Sequence, residues 1–286
     1  MRRDEARRAL YLDASAVAVR RDGPSLLVQR PGRASQRIPL RRIQRAVVRG
    51  VNEPLLDALL ALAAAGSSVH FEDSQGYVHA VLQPARQAAG REARELAAII
   101  AHSSGVGAFN VWREIQLRHA VSLAFREGFR GDIRAARLRL LRYLRYFQPG
   151  AAIEFEVKVL SEQLRGWLQA ELSRQGFHPV IRELALKGCD VVDVLEQCLG
   201  VTLLWVYVRW RRQLSGTVER RDLIGLFELQ AAGPLLDQLY RHLAALADEF
   251  QARQRRRRSL EWEEELADAP DDKARLASMI REEWPL

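Results

Sequence analysis

The stretch Gly76-Tyr77-Val78-His79-Ala80-Val81-Leu82-Gln83-Pro84 marks the point where the character of the chain changes. Tyr77–Leu82 reads as a strand rich in β-formers, and Asp73-Ser74-Gln75-Gly76 before it reads as a hairpin turn. Gln83-Pro84 closes the strand and opens a linker near residues 83–90. Upstream, the apolar runs are short and punctuated by turn residues. Downstream, apolar residues recur at helical spacing from about residue 86 to 255. The fold class expected is therefore α+β: a small N-terminal β-rich domain (β-hairpins or sheet with one helix) followed by a larger all-α domain.

Working back from residue 77, Ser68–Phe71 is a strand, Gly66-Ser67-Ser68 ends a helix, and Glu53–Ala65 supplies that helix with Leu and Ala at helical spacing. Further apolar runs lie at Ile43–Val48, Gln36–Ile38, Ser25–Gln29, Ala16–Val19 and Ala9–Asp13, with turn signals at Asp22-Gly23-Pro24 and Pro31-Gly32. Working forward, helices are predicted over 91–103, 108–126, 132–147, 152–175, 190–213, 219–230 and 234–255. The breaks fall at Gln148-Pro149-Gly150, Gly176-Phe177-His178-Pro179 and Gly233-Pro234. The division expected is a β-rich domain over 1–84, an all-α domain over 85–255, and a charged tail over 256–286. In the tail, the basic run Arg255–Arg258 precedes the acidic segment Glu261–Asp272, with a short helix near 273–283.

Composition limits the partner. The 286 residues carry 44 Lys and Arg against 36 Asp and Glu, a net charge of +8. Only Lys158, Lys187 and Lys273 are lysines, which leaves 41 Arg. The guanidinium fork matches phosphate oxygens bidentately, so an Arg excess on a basic protein suits a polyanion, most simply duplex DNA. A GC-rich genome would raise the Arg/Lys ratio by itself but leaves the net charge unexplained. The two cysteines, Cys189 and Cys198, form no CxxC pair, which disfavours a structural zinc site and suits reduced thiols in the cytoplasm. The first ten residues are charged, without a signal-peptide core, and the longest apolar runs, near Leu55–Ala65 and Val201–Val208, are short for a membrane span. The expectation is a cytoplasmic protein with no membrane partner.

The order of motifs over residues 10–82 resembles the CRISPR-associated spacer-acquisition integrases, the larger subunit of the CRISPR adaptation complex. Leu10-Tyr11-Leu12-Asp13 matches the opening strand of that family. Arg37-Ile38-Pro39-Leu40 matches the end of its hairpin, and Ala46-Val47-Val48-Arg49-Gly50 the strand that follows. Gly66-Ser67-Ser68-Val69-His70-Phe71 stands where members carry Gly-Ile-Pro-Val-Val-Phe. The resemblance is ordered over the first third and looser through the helical part. It implies a homodimer formed through the β domain, a small ferredoxin-like adaptation partner protein, bound duplex DNA, and metal-dependent transesterification of DNA ends into a repeat array.

The resemblance also implies a ligand set of Glu, His and Asp or Glu for Mg2+ or Mn2+, the hard cation that phosphoryl transfer requires. Val191-Val192-Asp193-Val194-Leu195-Glu196 occupies the place of the last element, with Asp193 and Glu196 at i, i+3 on one helix. Cys198-Leu199-Gly200 replaces the Phe-Arg-Pro that should follow. Phe129-Arg130-Gly131-Asp132-Ile133-Arg134-Ala135-Ala136 fits the context of the first element, with Asp132 as the carboxylate and Glu127 as a second candidate. The His has no counterpart in Ile181–Gly188; His178 is nearest, and Lys187 would repel a cation. The catalytic and metal candidates are thus Asp132, Asp193 and Glu196. The same aspartates also read as helix N-caps, Asp132 on one helix and Asp190-x-x-Asp193 on another, which needs no metal. A degraded metal site, with no cofactor, is the favoured expectation.

The DNA-contact candidates are Arg134, Arg137, Arg142 and Arg145 on one face of the helix over 132–147, with Arg209, Arg211 and Arg212 after a long apolar stretch. Residues 1–50 add 13 Arg against four acids, with Arg2, Arg3, Arg7 and Arg8 as a basic arm. Tyr143, Tyr146 and Phe147 read either as core or as a stacking support for a DNA end. Three readings of function stand at this point: a DNA-holding family member with a degraded site; an active metal-dependent DNA integrase or endonuclease with substituted ligands; and an unrelated basic helical DNA-binding regulator.

Overall fold

The computed structural model describes residues 8–73, 78–84, 91–101, 105–125, 129–214 and 216–268. The Ser74–Tyr77 part of the expected hairpin, Glu127, Arg2, Arg3, Arg7 and the tail beyond Asp268 lie outside the described residues.

The chain enters on strand β1 (Arg8–Asp13). The Asp13 carboxylate accepts from the Ser15 backbone N–H (3.0 Å) and hydroxyl (2.6 Å), a local turn that competes with strand pairing. Strand β2 (Ala18–Asp22) therefore begins at Ala18 and not at the expected Ala16. It pairs antiparallel with β3 (Ser25–Gln29), Asp22 facing Ser25, so Gly23 and Pro24 form the whole turn. Gly23 takes φ +58°, which such a two-residue turn requires. Strand β4 (Gln36–Pro39) completes this three-stranded sheet.

Strand β5 (Ile43–Arg49), helix α1 (Glu53–Ala64) and strand β6 (Ser68–Glu72) form a parallel crossover unit. With β1 and the antiparallel edge strand β7 (Val78–Leu82) they make a second sheet in the order β1-β5-β6-β7. Helix α1 packs against β2 of one sheet and β5 and β6 of the other. Leu26, Val28, Ala46, Val48, Leu55, Leu59, Leu62 and Val69 close into one apolar core there. Each fully buried Leu contributes about 2 kcal/mol.

Nine helices are described: α1, then α2 (Arg91–Ala101), α3 (Val106–Phe125), α4 (Ile133–Phe147), α5 (Ile153–Arg174), α6 (His178–Leu186), α7 (Val191–Arg211), α8 (Arg220–Leu226) and α9 (Ala232–Asp268). Two punctuation signals read as breaks behave otherwise. Pro179 sits in the first turn of α6, where its missing N–H costs nothing, so the expected loop is a helix. Gly233-Pro234 does not separate helices. A π-helical turn at Phe227–Ala231 joins α8 to α9, and the Ala232 N–H donates to Phe227 O. The widened turn shifts the ladder where the Pro234 ring would otherwise press on the Gln230 carbonyl. Helix α9 continues well past residue 255, so the basic run Arg255–Arg258 is exposed on a helix.

Helix α7 is long and apolar enough to cross a bilayer, against the expectation of short apolar runs only. It is the helix on which α3, α4, α5 and α9 pack, which accounts for its being apolar nearly all round. The helical apolar cluster runs from Ala93 to Phe250.

Helix α5 packs against β5 and β6, and the contact between the two regions is polar there. A Cβ at Gly166 of α5 would stand 3.2 Å from His70 Nδ1 and 3.4 Å from Arg45 Nη1, so glycine permits this approach. Arg45, almost fully buried, donates from Nη1 to Gln163 O (3.1 Å) and from Nη2 to Gln163 Oε1 (3.1 Å), Tyr11 Oη (3.1 Å) and Glu228 Oε1 (2.6 Å). A buried guanidinium persists only when so satisfied.

Candidate functional site

Helices α5 and α7 face each other across an open cleft of about 250 Å³, with α4 at its border. Glu162 and Arg165 on α5, Asp193, Glu196 and Gln197 on α7, and Arg137 on α4 provide its polar lining. Val157, Leu160, Leu164, Leu203 and Leu204 provide its apolar part.

The local structure of α7 explains where its carboxylates stand. Asp190 is the N-cap and accepts from the Asp193 N–H at 2.9 Å. That fixes the first turn and sets Asp193 and Glu196 on the face toward α5. Asp193 Oδ2 accepts from Gln197 Nε2 at 2.6 Å. Arg165 engages Glu196 with a parallel fork, Nε to Oε1 at 2.7 Å and Nη2 to Oε2 at 2.9 Å. The hydrogen bonds and charge of Glu196, with Glu162 and Asp193 behind it, raise the Arg165 pKa further above its ordinary value.

The structure thus brings two of the three expected site residues, Asp193 and Glu196, into one cleft. Asp132 is not among the cleft residues. It is the N-cap of α4, its Oδ1 accepting from the Ala135 N–H at 2.8 Å, as the capping reading holds. His178 is exposed as the first residue of α6, outside the cleft lining. Lys187 is directed away, donating to Ile100 O at 2.6 Å.

A divalent cation needs carboxylate oxygens with lone pairs to give. Both Glu196 oxygens are taken by Arg165, one Asp193 oxygen by Gln197 and one Asp132 oxygen by a backbone N–H. Among the described residues no group of three His, Cys, Asp or Glu stands close enough to hold a metal ion. As arranged, Glu196, Asp193 and Glu162 could take up a cation in the cleft only in competition with the Arg165 fork.

The expected DNA-contact arginines divide. Arg134, Arg142, Arg209 and Arg212 are exposed. Arg137 is half-buried at the cleft, and Arg145 is paired with Glu154. Arg211 is a correction: its side chain is 1% exposed and bound to Glu156 (Nε to Oε2, 3.1 Å), Leu214 O and Gly216 O. It holds the end of α7 and cannot reach a phosphate. The apolar stretch that precedes it continues as core, so its charge is satisfied internally. Sequence reading missed Glu162 and Arg165. Their signal was a pair of opposite charges at i, i+3 within an otherwise core-forming helix.

No family model matches the sequence, and no curated protein matches it. Solved structures do match in fold. A Cas1 protein from Thermotoga maritima is similar with a TM-score of 0.56 at 11% identity, over 83% of this chain and 96% of that one. TtCas1 in complex with DNA is similar with a TM-score of 0.54 at 13% identity, over 85% and 91%. TtCas1 alone gives 0.52 at 14% identity, over 84% and 98%. The two-layer β unit followed by helices, which an unrelated helical regulator would lack, is common ground with these structures, and the chain carries the fold of the Cas1 proteins.

Proposed function

We propose that this protein is a DNA-binding member of the CRISPR adaptation integrase family that holds prespacer and repeat DNA without joining it. The observation that carries the reading is the Arg165–Glu196 fork, which engages a cleft carboxylate where the resemblance requires a cation. The Cas1 fold and the exposed Arg134, Arg142 and Arg209 support the DNA-binding part. Val51, Leu56 and Leu60, apolar and exposed on or beside α1, support a homodimer through the β domain. A small ferredoxin-like adaptation partner and a cytoplasmic location belong to the same proposal. Two buried free cysteines, with burial pushing the Cys198 thiol up to about 12, suit a reducing compartment.

The test incubates the protein with labelled DNA ends and a supercoiled target, with Mn2+ and then with EDTA. Salt-sensitive binding without joining or cleavage is expected, with a shallower salt dependence in an Arg134→Ala/Arg142→Ala variant. Metal-dependent joining that disappears in Asp193→Ala would overturn the proposal in favour of an active integrase.

A further inference from the structure

We propose that the outer end of α9 pairs with the same segment of a second copy of this chain, antiparallel, through blocks of opposite charge. Helix α9 leaves the core at Phe250, which is 2% exposed. Residues 255–260 are exposed, and the helix runs on to Asp268. About 21 Å of helix, residues 255–268, follows the packed part of α9. Leu260 stands near the midpoint of this arm and is 60% exposed.

The charges of the arm are sorted in blocks. Arg253 and the run Arg255–Arg258 come first, and Glu261, Glu263, Glu264, Glu265 and Asp268 follow. A helix with no core face is stabilised in water by opposite charges four residues apart. This arm has one such spacing, Arg257 to Glu261. It has three between like charges: Arg253 to Arg257, Glu261 to Glu265 and Glu264 to Asp268. Its acids also fall in the last turns, where the helix dipole disfavours them. The blocks therefore work against the helix on its own and find their complement outside it.

The occupant is a second copy because the pattern is its own reverse complement. Turned end for end about the point between Leu260 and Glu261, position 256 faces 265, 257 faces 264, 258 faces 263 and 253 faces 268. Each pairing sets Arg against Glu or Asp, and the two-fold axis makes each of them twice. Leu260 falls beside that axis, where the Leu260 of the other copy gives it an apolar neighbour. Nucleic acid is the poorer occupant. Phosphates drawn to 255–258 would meet the acids at 263–265 about 11 Å further along the helix, close to one Debye length. The contact is smaller than a standard interface and its ion pairs are open to salt, so the association is weak and salt-dependent. It is separate from the β-domain contact and does not rest on DNA binding.

The test compares the full chain with two charge-reversed variants, Arg256→Glu/Arg258→Glu and Glu263→Arg/Glu265→Arg, by sedimentation velocity over a range of concentrations. Circular dichroism checks that helix content is unchanged. Wild type should show a concentration-dependent association step that high salt weakens. Each variant alone should lose about tenfold or more in that step, and an equimolar mixture of the two should restore it, because every reversed charge then faces its opposite. Leu260→Asp, which sets like charges beside the axis, should weaken the same step by an independent route. Association through the β domain is common to all samples and cancels in the comparison. Wild type without the step, variants that associate as wild type does, or variants that stay apart when mixed would each overturn the proposal. So would a loss of duplex affinity in Arg256→Glu/Arg258→Glu with association unchanged, which would assign the arm to nucleic acid.

Discussion

Arg211 and Glu156 meet inside the helical core with both side chains almost wholly out of water, whereas Arg165 and Glu196 meet at a cleft with 57% of the arginine side chain exposed. The chemistry of the two pairs is the same and the surroundings differ. In the core, each charge has lost its hydration and must keep every partner. Glu156 accepts from both Arg211 and the Tyr207 hydroxyl, and Arg211 directs its remaining donors to two carbonyls. At the cleft, water still screens the pair, and its contribution to stability is small. The first pair is therefore part of the scaffold. The second decides what charge the cleft offers a ligand.

Removing one partner of each pair separates the two cases most widely. Arg211→Ala leaves a buried carboxylate without its cation and should cost about 3–5 kcal/mol, measured by urea unfolding. A loss below about 1 kcal/mol would put the two pairs in the same class.

The next effect in size is a pH dependence from the buried histidines. Burial first, and the Arg45 charge second, lower His70 to about 4; burial, with His119 and Arg241, lowers His242 to about 4. An unfolded chain protonates both near 6.5. Between those values the unfolded state holds protons that the folded state does not, so stability falls as pH is lowered from about 6.5 toward 4 and is level above that window. Thermal unfolding across this range should show the fall, and a His70→Gln variant should show a shallower one.

The smallest change in stability is expected where the consequence for chemistry is largest. Arg165→Ala should shift unfolding by less than about 1 kcal/mol. It also frees Glu196 beside Asp193 and Glu162, so Mn2+ should raise the Tm of the variant and leave that of the wild type unchanged. A wild-type Tm that responds to Mn2+ as strongly as the variant's would show that the fork does not compete with a cation.

Strand positions in the β unit were legible because each strand is short and is bounded by turn signals, such as Gly23; their order in the two sheets was not. The helical part was legible where an aspartate caps a helix, as at Asp132 and Asp190. Proline misled twice: at Pro179 because a helix start and a loop share that signal, and at Pro234 because a π-turn accommodates it. The cleft was half legible. Asp193 and Glu196 announce themselves at i, i+3, but Arg165 lies 31 residues from Glu196, and only the packing of α5 on α7 brings the two together. Arg211 was misplaced for the same reason: nothing local distinguishes it from Arg209 and Arg212, and its partner Glu156 is 55 residues away.

Arg45 imposes an order in time. Its hydroxyl partner on β1 is 34 residues away, its amide partner on α5 is 118 away, and its carboxylate partner Glu228 is 183 away. As the chain leaves the ribosome, the sheet and its guanidinium are complete long before Glu228 exists. Until α5 and the π-turn arrive, that face of the sheet must stay wet, because a lone cation cannot be sealed away. The junction therefore dries only after most of the chain has been made. A chain interrupted between Arg45 and Glu228 would expose there a face that chaperones and proteases read as unfinished.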